Sequence, residues 1–165
     1  MATQKHTIVA LVIDRPGVFN RIASLFRRRG FNMDSIAVGH SELPNISRVT
    51  IVVDGATTQV EQVRKQLEKN IDVVKVTDLT LRDTIIRELA LIKVHANSTT
   101  RSEIIQIVDI FRAKIVDVSG DSLTVEVTGD TPKVDTLYKL LKVFGIKEVA
   151  RTGCIAMTRG DNASI

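Results

Sequence analysis

Most of what would mark a catalyst, a secreted scaffold or a membrane protein is missing from this sequence. Cys154 is its only cysteine, so neither an intrachain disulfide nor a multi-cysteine metal site can form; the residue reads as a small buried hydrophobe. There is no tryptophan and aromatic residues make up 4%, so burial falls to Val, Ile and Leu, which favour strands. No apolar run approaches the roughly 18 residues of a membrane span. Met1 to His6 hold no apolar core of a secretion signal, and the default expectation is a cytoplasmic protein. The net charge of +4, from 23 basic and 19 acidic residues, is too small an excess to argue for nucleic acid. There is no G-x-S-x-G and no glycine-rich phosphate loop. His6, His40 and His95 fall on different predicted strands without a second ligand at i+2 or i+4. No catalytic residue, metal ligand or resident cofactor is therefore expected.

What is present is a repeat. The 165 residues suit two domains of roughly 80 each. Thr7 to Ile13 is a continuous apolar run, the signature of a strand buried on both faces. Val18, Ile22, Leu25 and Phe26 then form one helical stripe. Arg27, Arg28 and Arg29 fall in the last turn, where cations favour the dipole and read as a solvated end, with Gly30 beyond them. Strands are predicted over Phe31 to Gly39 and Arg48 to Asp54. A helix opening on a Thr58/Glu61 capping box follows, and then a strand over Asp72 to Leu81. The order is β-α-β-β-α-β.

The second half repeats it. Glu88 to Ala96 is a predicted strand, and Thr100/Glu103 a second capping box. Ile104, Ile107, Val108 and Phe111 line the helix behind. Lys114 to Val118 and Ser122 to Thr128 pair across the Gly120-Asp121 turn. Val134, Leu137, Leu141 and Phe144 make the last stripe, and Lys147 to Met157 reads as one final strand before a polar tail. Letters echo too: Leu25-Phe26-Arg27 against Ile110-Phe111-Arg112, and Val53-Asp54-Gly55 against Val127-Thr128-Gly129. The fold class is α+β, two ferredoxin-like βαββαβ domains over residues 4–80 and 84–160. Helices cover one sheet face in such a domain, leaving the other face or an edge for a partner.

One segment carries chemistry. Asp14-Arg15-Pro16-Gly17-Val18-Phe19 leads from the first strand into the first helix. Amides at a helix start lack acceptors and favour an anion. Gly17 has no Cβ to keep a ligand away, and Asp14 sits beside them. A free amino acid needs donors for its carboxylate and an acceptor for its ammonium, and this loop offers both. A plain N-cap by Asp14 explains the same letters equally well.

The D-x-P-G loop, the amphipathic helix and Gly30-Phe31-Asn32-Met33-Asp34-Ser35-Ile36 resemble an ACT domain, a module that binds amino acids in metabolic regulators. With Ser47 to Val53 and the tail Arg151-Thr152-Gly153-Cys154-Ile155-Ala156-Met157-Thr158-Arg159-Gly160, nearly the whole chain resembles the small regulatory subunits of acetolactate synthase (acetohydroxyacid synthase). The loop alone is generic; the Gly30 run and the tail are far more specific.

The resemblance implies a non-catalytic subunit in branched-chain amino acid synthesis. It would activate a large catalytic subunit, which carries thiamine diphosphate, magnesium and FAD. It would also confer feedback inhibition by valine, in some members by leucine or isoleucine. It further implies a homodimer through the N-terminal domain, with the effector between the loop of one chain and the second strand of the other. Gly17, Val18 and Phe19 would offer amides to the carboxylate and Asp14 would meet the ammonium. Asn32 and Ile36 would come from the neighbouring chain. Some relatives carry Asn where this chain has Asp14, a charge that bears on affinity or effector preference. The alternative is an ACT-type regulator of another pathway. An RNA-binding module of the same topology is disfavoured, because Thr7 to Ile13 and Arg48 to Asp54 carry no aromatics for base stacking.

Overall fold

The computed structural model describes residues 4–160, with the polar ends of the chain outside that range. It divides into two compact units: one runs to Ile85 and takes in the chain from Cys154 onward, the other spans Ile86–Gly153.

In the first unit the order is β1 (Gln4–Ile13), α1 (Val18–Arg28), β2 (Asn32–His40), β3 (Ile46–Gly55), α2 (Thr57–Glu68) and β4 (Val73–Asp78). The strands pair antiparallel in the order β2-β3-β1-β4, with Ile8 opposite Ile51 and Ala10 opposite Val49. Ile8, Ala10, Val12, Val49, Ile51 and Val53 face the helices. They pack with Val18, Ile22 and Phe26 of α1 and Val60, Val63 and Leu67 of α2. β1 is central, which explains its unbroken apolar run. Val9 and Leu11 on its other face are also buried. Part of that cover is the end of the chain itself. Arg48 Nη2 donates to the Ala156 carbonyl at 2.7 Å, and the Cys154 amide lies 3.5 Å from Ser35 Oγ.

The second unit runs β5 (Thr84–His95, which begins before the division), α3 (Arg101–Ile110), β6 (Lys114–Val118), β7 (Ser122–Gly129), α4 (Thr131–Lys142) and β8 (Ile146–Arg151). Its order, β6-β7-β5-β8, reproduces the first sheet element for element. Leu123, Val125 and Val127 are all buried on one face, as their alternation requires. Ala90, Ile92 and Val94 join them, with Ile104, Val108, Val134, Leu137 and Leu141 from the helices. Arg151 clasps the buried Glu88 with two hydrogen bonds of 2.7 and 2.8 Å and reaches Asp135 at 2.8 Å. These partners, Glu88 foremost, raise the guanidinium pKa above its ordinary value.

Three local expectations are corrected. The single strand expected over Lys147 to Met157 is two, β8 and a separate β9 (Ile155–Thr158) paired with β5. Gly153 breaks it at φ +76, a left-handed conformation that residues with a Cβ rarely take. Thr100 is the N-cap of α3, but its side chain caps none of the helix's amides, so the Thr100/Glu103 capping box does not form. Asn97 Oδ1 accepts from the Thr99 and Thr100 amides at 3.0 Å each, and Thr100 Oγ1 accepts from the Asn97 amide at 3.2 Å. That is the hydrogen-bond pattern of a capping box, with Asn97 as its first residue. α2 starts at Thr57, one residue before the Thr58 cap, whose side chain lies outside the described residues. Glu61 is instead held by Arg64 at 2.6 and 2.9 Å.

Candidate functional site

The loop between β1 and α1 is built to leave a helix start open. Asp14 leaves β1 with its amide bonded to the Asn45 carbonyl at 2.8 Å. Pro16 follows, and Gly17 is the N-cap at φ +88, with no side-chain hydrogen bond capping the helix. A Cβ at Gly17 would meet nothing within 4 Å, so the loop faces open space there. The amides of Gly17, Phe19 and Asn20 have no acceptor among the described residues, and that of Val18 has only a long 3.5 Å contact with the Arg15 carbonyl. Three amides thus stand without an acceptor at the positive end of the helix dipole.

Asp14 does not cap the helix. Its carboxylate is partly exposed and lies 3.5 Å from His40 Nδ1 at the end of β2. An acceptor thus stands beside the cluster of donors. Val18 offers only its backbone, because its side chain is buried in the core, whereas Phe19 is 36% exposed at the rim.

Two arginines that sequence reasoning passed over hold this loop. Arg15, inside it, and Arg21, on α1, both donate to the carboxylate of Asp72, which is fully buried in the turn before β4. The Asp72 carbonyl also accepts from the Ile13 amide at 2.8 Å. The sequence predicts Asp72 as the first residue of a strand; in the structure it also ties the loop to the entry of β4, the strand beside β1, and no local spacing signals a contact between residues 57 apart in sequence.

Asn32 and Ile36 lie elsewhere. They are exposed on β2, the edge strand. Asn32 pairs with Asp54 at one end of the sheet, whereas the loop emerges at the other end, where His40 pairs with Ser47. Eight residue steps along β2 put Asn32 roughly 26 Å from the His40 end. One chain therefore does not bring Asn32 to Gly17. Ile36 and Val38 follow β2's edge with 42% and 49% exposure, and its outer backbone has no neighbouring strand among the described residues. Arg27 to Arg29 form an exposed helix end.

Among the described residues, no group of three or more His, Cys, Asp or Glu could hold a metal, and no helix is long and apolar enough to cross a membrane. His6 is buried at the start of β1 with neither ring nitrogen bonded, for which the structure offers no account.

Residues 8–75 match the family model for the acetohydroxyacid synthase small subunit-like ACT domain, and residues 87–160 match that for the small subunit of acetolactate synthase. A probable acetolactate synthase small subunit of Methanothermobacter thermautotrophicus is 56% identical over 161 residues, 97% of this chain and 96% of the relative. The acetolactate synthase small subunit of Bacillus subtilis is 52% identical over 157 residues, covering 94% and 91%. The crystal structure of the acetolactate synthase small subunit from Thermotoga maritima superposes with a TM-score of 0.87 at 44% identity, covering 95% of this chain and 98% of that one.

Proposed function

This chain belongs to the family of acetolactate synthase small subunits, and on that footing we propose that it is a non-catalytic regulator whose first domain senses valine. It activates a large catalytic subunit in the cytoplasm and makes that enzyme subject to feedback inhibition by valine, with leucine or isoleucine as further effectors. Thiamine diphosphate, magnesium and FAD stay with the catalytic partner.

The observation that carries the reading is the open start of α1. Gly17, Val18 and Phe19 receive the effector carboxylate on their amides, and Asp14 takes its ammonium. Asn32 and Ile36 complete the pocket from a second copy. Strand register supports that division. Two copies joined antiparallel along β2 would set the Asn32 end of one strand against the His40 end of the other, where the loop lies. The 26 Å that separates the parts within one chain is what a two-chain site requires.

Regulation follows from where the site sits. A ligand shifts an equilibrium only through unequal affinity for its states. A pocket completed by two chains exists in one paired arrangement, so valine stabilises that arrangement and the catalytic subunit responds to it.

Calorimetric titration of the purified chain with valine, then leucine, isoleucine and serine, tests this. Saturable valine binding that is lost in Gly17→Asp supports both the effector and its place. A Gly17→Asp protein that binds valine normally and still confers inhibition refutes the placement.

A further inference from the structure

The repeat gives β6 the place in the second sheet that β2 holds in the first, an outer edge beside one neighbour. β6 is short, five residues, and its apolar side chains are not tucked away: Val116 is 51% exposed and Val118 59%. Ile110, on the last turn of α3, is 76% exposed. Bare edges of this kind template pairing with another chain unless something blunts them.

Register on β7 shows what β6 would pair with. Lys114 pairs with Glu126 and Ile115 with Val125, then the register slips so that Asp117 pairs with Thr124 and Val118 with Leu123. Val116 is the extra residue of a β-bulge. In an unbulged strand, residues three apart point to opposite faces. The bulge puts Lys114 and Asp117 on the same, helix-free face, and both are exposed with no ion-pair partner among the described residues. A cation and an anion at the two ends of one face, on a free edge, are complementary to their own image under a two-fold rotation.

We propose that β6 is a self-pairing edge whose occupant is β6 of a second copy, antiparallel, in the register that sets Lys114 of each chain opposite Asp117 of the other. Ile115 then faces the partner's Val116, so the exposed apolar centre is covered, and two cross-strand ion pairs flank it. An isologous contact of this kind needs no other protein.

The register is tested with two single-cysteine variants of the full chain, Lys114→Cys and Asp117→Cys, made alone and co-expressed. In this pairing each variant alone places its two new thiols roughly 10 Å apart, three residue steps along the edge, beyond disulfide reach. Co-expressed, they face each other. Mild oxidation is expected to yield a disulfide-linked dimer from the mixture and monomers from either variant alone. Charge supplies the second arm. Lys114→Asp or Asp117→Lys weakens association by about tenfold in light scattering across a dilution series, and the double exchange restores it. Equal cross-linking of all three samples, or none in the mixture, overturns the proposal. So does a loss of catalytic-subunit activation on charge reversal that the double exchange does not restore, which would give this edge to the catalytic subunit instead.

Discussion

The two halves of this molecule share an architecture and differ at one turn. In the first, the strand-to-helix connection ends in Gly17, which caps nothing, and the amides behind it are left open. In the second, the corresponding connection is Ala96-Asn97-Ser98-Thr99-Thr100; α3 likewise has no side-chain cap at its N-cap Thr100, but the turn ahead of it is tied together. Asn97 Oδ1 takes two amides at 3.0 Å. Arg101 lies over the same turn, donating to the carbonyls of Ala96, Ser119 and Gly120 at 3.3, 2.8 and 3.2 Å. α4 does carry a side-chain cap, Asp130 accepting from the Lys133 amide at 3.0 Å. The same βα turn is thus tied by side chains in the second unit and left without them in the first, where the proposed effector site lies. Leaving donors open costs helix stability, about 1 kcal/mol per missing cap, and the first unit recovers it through the Arg15 and Arg21 contacts with Asp72.

The largest break in this contrast should come from Gly17→Asp. It sets a carboxylate where the proposed site receives the effector carboxylate, and valine affinity should fall by roughly a hundredfold, read by calorimetry. Because a Cβ there meets no atom, the fold should survive with a loss of about 1–2 kcal/mol for the left-handed backbone. Asp72→Asn comes next. It removes the charge that both arginines hold; because those arginines are themselves half exposed, stability should fall by only about 1–2 kcal/mol in urea unfolding. Valine affinity should weaken with it, since the loop loses its anchor. Asn97→Ala sharpens the comparison from the other side. It should destabilise the second unit by about 1 kcal/mol and leave valine affinity unchanged; a change there would mean that the tied turn also takes part in binding. The smallest effect is expected of Asp14→Asn, a few-fold change in valine affinity at most, because the carboxylate is partly exposed and its interactions are screened.

The contrast itself was not legible in the letters. Sequence reading found the open loop through its D-x-P-G run, and it found the core through stripes such as Val18-Ile22-Phe26 and Val134-Leu137-Leu141, because periodicity reports burial directly. It expected a capping box at Thr100-Arg101-Ser102-Glu103, which has the required letters, but the Thr100 hydroxyl accepts from the Asn97 amide behind it instead. Only the backbone shows which residue starts the turn. Asp72 was missed for a different reason: ahead of the β-branched run at Val73 it reads like any strand entry, and its partners are distant in sequence. The break at Gly153 was hidden by the apolar residues on either side of it, which are as strand-like apart as together. The separation of Asn32 from Gly17 follows from strand register, which no single segment encodes.

The proposed pocket, divided between two copies, would tie sensing to abundance. Whatever free energy valine gains in the seam also holds the seam together, so ligand and partner raise each other's apparent affinity by the same factor. At low protein concentration the chains are mostly apart, and more amino acid is needed for the same response. Under that proposal the exposed edge of β2, with Ile36 and Val38 along it, would set a threshold: the inhibitory concentration of valine would be a property of how much of this protein the cell holds as well as of the pocket.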